Sequence, residues 1–142
     1  MTTTPAHHER RDKHLELLQS AIGRFNTNSF LIKGWAMTLN GALVTIAPHG
    51  SDWTAAVVAL LTTIGFWLLD SYYLGQERRF RSLYERAVTA TPAAVPFFTM
   101  DADQYGIPVP WRTVALSRTM LLCYGTLTVV DTAVLAILAR SG

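Results

Sequence analysis

The sequence holds a single cysteine, Cys123, and it lies inside an apolar run. A lone thiol excludes a disulfide framework and a paired-cysteine metal site, and its setting disfavours an exposed nucleophile. Gly23, Gly34 and Gly41 stand in helical settings with no strand before them, so no phosphate-cradling loop is present. No water-facing Ser, His and Asp set can be assembled. His7, His8 and His14 lack the carboxylate or cysteine spacing of a metal centre. Asp101 and Asp103 match a calcium loop only in part and read as a solvated turn. These absences argue against an enzyme, and neither a metal nor another cofactor is expected.

Charge is also scarce, at 15% of residues against 50% hydrophobic, and the apolar content is gathered into blocks. Phe30 to Ala47, Trp53 to Leu74 and Thr119 to Ala139 each approach the ~20 residues a helix needs to cross a hydrocarbon layer. A soluble bundle with three such blocks in so short a chain is the weaker reading. The fold expected is an all-α integral membrane protein with three transmembrane helices. Nearly thirty mostly polar residues precede the first block, unlike a cleavable signal, so the first span is expected to stay in the mature protein.

Eleven of the twelve basic residues fall on one side of such a topology, and only Arg140 lies at the opposite end. The positive-inside rule then places the N-terminus in the cytoplasm and the C-terminus outside, in a multi-pass inner-membrane protein with the lipid bilayer as a partner. The basic rim should also attract anionic lipid. Residues 1–12 read as a flexible basic tail. Leu15, Leu18, Ile22 and Phe25 give 13–29 the pattern of an amphipathic cytoplasmic or interfacial helix, and "NTNS" offers caps to the first span. Residues 30–91 form a transmembrane hairpin with a cytoplasmic helical extension, jointed at Gly75. Four prolines make 92–112 a linker, and 113–142 carries the third span.

Ionisable residues within the spans ask for partners. Lys33 and Asn40 share one stripe of the first span; Thr63 and Asp70 share a stripe with the same seven-residue spacing on the second. In an antiparallel hairpin Lys33 meets Asp70 and Asn40 meets Thr63, at depths that differ by only about 5 Å for the charged pair. The alternative is that Lys33 snorkels to the headgroups. Gly34, Thr38, Gly41 and Thr45 form a small-residue strip that would let a helix approach closely.

On the third span Tyr124, Thr128 and Asp131 make one polar face. Three readings of Asp131 stay open: a protonated side chain bonded to Asn40 or Thr63; a carboxylate ring lining a cation or proton pathway in a symmetric homo-oligomer; or a charge answered by a partner subunit. The basic residues Arg78, Arg79, Arg81 and Arg86 form a candidate cytoplasmic surface.

The arrangement of "FNTNSFLIKGWAMTL", a short outer turn and "FWLLDSYYLGQERRFRSLYERA" resembles small bacterial membrane proteins similar to SLATT-type two-helix effectors of antiviral defence. The resemblance spans roughly residues 13 to 90, with Lys33, Trp35, Asp70 and Tyr73 the most suggestive positions. It implies an oligomeric effector that forms a pore or permeabilises the membrane on a signal from a cytoplasmic partner or a nucleotide. The third span with Asp131 departs from that two-helix pattern. The function expected is therefore a homo-oligomeric ion-conducting or permeabilising protein. The rival is a non-conducting membrane anchor or assembly subunit for a cytoplasmic partner. A small secondary carrier is disfavoured, because no repeat or broken helix is visible, and nucleic acid is not an expected partner.

Overall fold

The computed structural model describes residues 5–47, 53–89, 95–96 and 98–141, and these are mostly helical with no strand among them. Two long helices dominate: α1, Pro5–Ile46, and α2, Thr54–Thr89. At 1.5 Å per residue they measure about 63 and 54 Å, so each is far longer than a ~30 Å hydrocarbon layer. They run antiparallel: Arg11 bonds Val88, Gln19 bonds Tyr84, and Asn40 bonds Thr63.

Three helices are long and apolar enough to span a membrane. The third begins with α5, Arg118–Met120, widens into a π turn over Leu121–Gly125, and continues as α6, Thr126–Ser141. It packs antiparallel to α2, since Tyr124 meets Asp70 and Asp131 meets Thr63.

The helix boundaries differ from the sequence expectation in three places. Helix α1 starts at Pro5, a residue suited to a first turn because it has no N–H to leave unpaired, and so takes in most of the segment read as a flexible tail. It also runs unbroken through Asn26–Ser29, where caps were expected. The reason is tertiary: one buried seam, carrying His14, Leu18, Ala21, Ser29, Ala36, Asn40 and Ala47, continues along the whole helix. Ser29 serves that seam with its side chain instead of capping a helix end. Helix α2 likewise passes straight through Gly75.

Two cores result. In the first, Ala36, Met120 and Tyr124 pack with Phe66, Trp67 and Leu74. Around it the surface is apolar, with Phe30, Trp35, Leu61, Leu122, Val129 and Ile137 each more than 60% exposed. That is the surface lipid would cover, since a water-soluble domain rarely exposes so contiguous an apolar girdle.

The second core lies at the other ends of α1 and α2, where Leu18, Leu83, Val95 and Ala102 are buried against Phe80, Tyr84, Ala87 and Tyr105. It forms a small head. Its cover is formed by residues 95–96 and 98–107, which include the one-turn helix α3, Ala102–Tyr105. Asp101 caps α3 by accepting from the N–H groups of Asp103 and Gln104. The cover is tied down by Arg79 to Asp103 at 2.6 Å, by Arg86 to the Tyr105 carbonyl at 2.8 Å, and by the Ile107 N–H to Ser82 Oγ at 2.8 Å. On its other flank His14 Nε2–H donates to the Thr99 carbonyl at 2.9 Å. Phe98 beside it adopts a left-handed φ of 63°, uncommon for a bulky residue.

At Gly106 the cover passes close to both its own helix α3 and α2. A Cβ there would stand 2.3 Å from the Ala102 carbonyl and 3.1 Å from that of Arg79. Gly106→Ala should therefore lift the cover off the head, costing about 1–3 kcal/mol. Limited proteolysis should show new cleavage between residues 95 and 107, with a lower melting temperature.

Candidate functional site

The polar groups within the apolar segments fall into two layers, each drawing side chains from all three long helices. In the first, Ser29 and Lys33 lie one turn apart on α1, Asp70 projects from α2, and Tyr124 comes from the π turn. Lys33 Nζ stands 2.6 Å from Asp70 Oδ2 and donates to Ser29 Oγ at 2.8 Å. The Ser29 hydroxyl donates to Asp70 Oδ1 in a short bond, and the Tyr124 hydroxyl donates to Oδ2 at 3.0 Å. Asp70 is fully buried, whereas the Lys33 side chain keeps 19% exposure. A buried carboxylate is tolerated only when paired and hydrogen-bonded, and three donors meet that demand here.

The second layer holds Asn40, Thr63 and Asp131. Asn40 Nδ2 lies 2.8 Å from Asp131 Oδ1, 2.9 Å from Oδ2 and 2.8 Å from Thr63 Oγ1. The Thr63 hydroxyl donates to Asp131 Oδ2 at 2.8 Å. Asp131 is fully buried, and no ion pair reaches it among the described residues.

Lys33 and Asn40, Asp70 and Thr63, and Tyr124 and Asp131 are each seven residues apart, so the layers sit two turns, or about 10 Å, from one another. Beyond the second layer the seam closes with small residues, Ala47 just past the end of α1 and Ala56 on α2, both buried.

Thr128 stays outside these layers. Its hydroxyl donates to the Tyr124 carbonyl on its own helix, and the residue borders a shallow outer groove with Val129 and Thr132. The strip of Gly34, Thr38, Gly41 and Thr45 also differs from expectation. It does not form the α1–α2 seam, which uses Ser29, Ala36, Asn40 and Ala47 instead. Both glycines face open space, and Thr38 and Thr45 are bonded to the carbonyls of Gly34 and Gly41.

The four arginines of the candidate basic surface have largely internal duties. Arg79 holds Asp103, Arg86 holds the Tyr105 carbonyl, and Arg81 bonds Glu77, whose own side chain is nearly buried. That hydrogen bond, with the charge of Glu77, pushes the Arg81 guanidinium further above its ordinary range, so it stays charged. Arg78 and Arg86 make no ion pair among the described residues, and Arg86 is held by the Tyr105 carbonyl instead.

Sequence reasoning missed Ser29, whose signal was its place one turn before Lys33. It also missed Trp67, whose indole N–H donates to the Ala115 carbonyl at 3.0 Å and whose ring stacks on Tyr124. No metal-ligating cluster occurs among the described residues. Comparison with protein-family profiles, curated proteins and solved structures gave no match.

The arrangement can neutralise charge and fix helix register. Lys33→Ala should cost about 3 kcal/mol in detergent unfolding, because it leaves Asp70 buried without its cation. Exchanging the pair as Lys33→Asp with Asp70→Lys should recover part of that loss. Tyr124→Phe should cost only about 1 kcal/mol.

Proposed function

We propose that the chain is a multi-pass inner-membrane protein that assembles as a symmetric homo-oligomer and holds its head on the cytoplasmic side. On this reading it is a membrane anchor and assembly subunit that does not conduct at rest. The observation that carries it is the closure of both polar layers inside one protomer. A pore built between protomers needs polar groups on their outer faces. Here the outer polar groups at membrane depth are threonines such as Thr38, Thr45, Thr126 and Thr132, all bonded back to their own helices. The exposed Gly34 to Thr45 strip is suited to close helix contact between copies. The basic residues cluster toward the head, which supports the cytoplasmic orientation.

A second reading, a gated homo-oligomeric pore, is favoured by Asp131, a buried carboxylate with no cation opposite it among the described residues. In that reading the helices rearrange to bring Asp131, Asn40 and Thr63 onto a pathway. The antiviral effector role implied by the resemblance belongs here, with a cytoplasmic partner or nucleotide acting on the head. Arg79, Arg81 and Arg86 are engaged by Asp103, Glu77 and the Tyr105 carbonyl, so a nucleotide would have to compete with those contacts or use Arg78.

The test is mass and ion flux on one preparation. Native mass measurement in mild detergent should give a defined homo-oligomer, and liposomes under an ion gradient should show no flux with either the parent protein or Asp131→Asn. Flux that Asp131→Asn alters while the mass is unchanged would replace the anchor reading with the pore. A monomer would remove the homo-oligomer from both.

A further inference from the structure

Outside the two polar layers, a groove of about 500 Å³ lies between α2 and the short helix α4, Trp111–Ala115. Trp67 and Leu68 form one wall, Ala115 and Leu116 the other, and Trp111 and Arg112 stand at the start of α4. The groove is preformed: the Trp67 indole is bonded to the Ala115 carbonyl, and this holds α4 against α2. Its size falls within the range of ligand sites, and Arg112 is the one charged residue lining it.

Depth decides what can enter. On helical rise, Trp67 lies about 21 Å from Trp53, and the exposed Tyr72 about 28 Å from it. If Trp53 marks one edge of a ~30 Å hydrocarbon layer, the groove occupies the opposite third and ends near the headgroups at Tyr72. Its apolar walls are therefore at acyl-chain depth. Arg112 has no ion pair among the described residues, and its planar guanidinium is suited to two parallel hydrogen bonds with a phosphate. An apolar helix from a second copy could fill the walls but would leave Arg112 unanswered. An anionic phospholipid satisfies both parts.

We propose that the α2–α4 groove binds one anionic phospholipid of the surrounding leaflet, with an acyl chain along Trp67, Leu68, Ala115 and Leu116 and the phosphate on Arg112. This rests on the membrane-embedded reading above and holds for the anchor and the pore alike.

Trp67 and Trp111 supply the probe. In full-length protein carrying Trp35→Phe and Trp53→Phe, reconstituted into phosphatidylcholine vesicles, tryptophan emission is quenched by brominated phosphatidylglycerol or by brominated phosphatidylcholine at the same mole fraction. The anionic quencher should act as though locally enriched about fivefold. Arg112→Ala should abolish that preference, Arg112→Lys should keep part of it, and Arg10→Ala in the head should leave it unchanged.

Equal quenching by the two lipids overturns the proposal, as does a preference that survives Arg112→Ala. So does a preference that Arg10→Ala removes equally, because diffuse attraction then explains it. Absence of quenching by either lipid, with the protein floating with the vesicles, shows the groove covered by another copy and overturns it too. Protein that fails to float removes the membrane reading itself, a result distinct from all of these.

Discussion

The hydration of a carboxylate cannot be replaced by hydrocarbon, and the fold depends on that constraint at Asp70. Once this residue lies in an apolar helix, its charge must be matched from inside the protein. Lys33, Ser29 and Tyr124 converge on it from two other helical segments. The hydrophobic effect gives little drive for helices to associate once lipid surrounds them, so polar contacts and close packing must set the arrangement. A single slip in register on either α1 or α2 would leave Asp70 without its cation. The same slip would part Asn40 from Thr63 and Asp131, so the two layers enforce one alignment together.

Much of this alignment is legible in the sequence because an antiparallel hairpin preserves spacing. Two polar residues seven apart on one helix can answer two polar residues seven apart on the next, and Lys33, Asn40, Thr63 and Asp70 have that form. The third helix was harder to place. Its polar face was visible in Tyr124 and Asp131, but nothing in the linker sequence sets its depth. Depth is set where Tyr124 meets Asp70 and Asp131 meets Asn40 and Thr63, and Trp67 holds the entry through the Ala115 carbonyl, a contact that no side-chain pattern announces. Thr128 shares the sequence pattern of its neighbours and yet bonds only its own helix, as threonine in an apolar helix often does.

The head was the least legible part, for a related reason. Arginines in a solvated helical extension read as a free basic surface, since charge runs usually face water. Here Asp103 and the Tyr105 carbonyl lie on a proline-bounded segment that folds back over α2, and a return of that kind leaves no periodic trace. Gly106 was its one local sign, a residue without a side chain where two backbones meet. The "NTNS" cluster misled in the opposite direction: its residue types favour helix ends, but the buried seam of α1 carries the helix through them.

Head and polar layers are mechanically one object, because α1 and α2 run unbroken from one to the other. Any ligand or partner that moved the head cover would act on Arg79 and Arg86, which lie about 14 and 24 Å along α2 from Asp70 on helical rise. A continuous helix can carry such a push as rotation or tilt, and along α2 the Asp70 layer lies nearer the head than the Thr63 layer. The third span can absorb part of it at the π turn, where an extra residue loosens the hydrogen-bond ladder beside Tyr124. Lys33 and Asp70 lie nearer the head than Asn40 and Thr63 along both long helices, so the first layer stands between the head and the second, and Tyr124 joins it from the π turn.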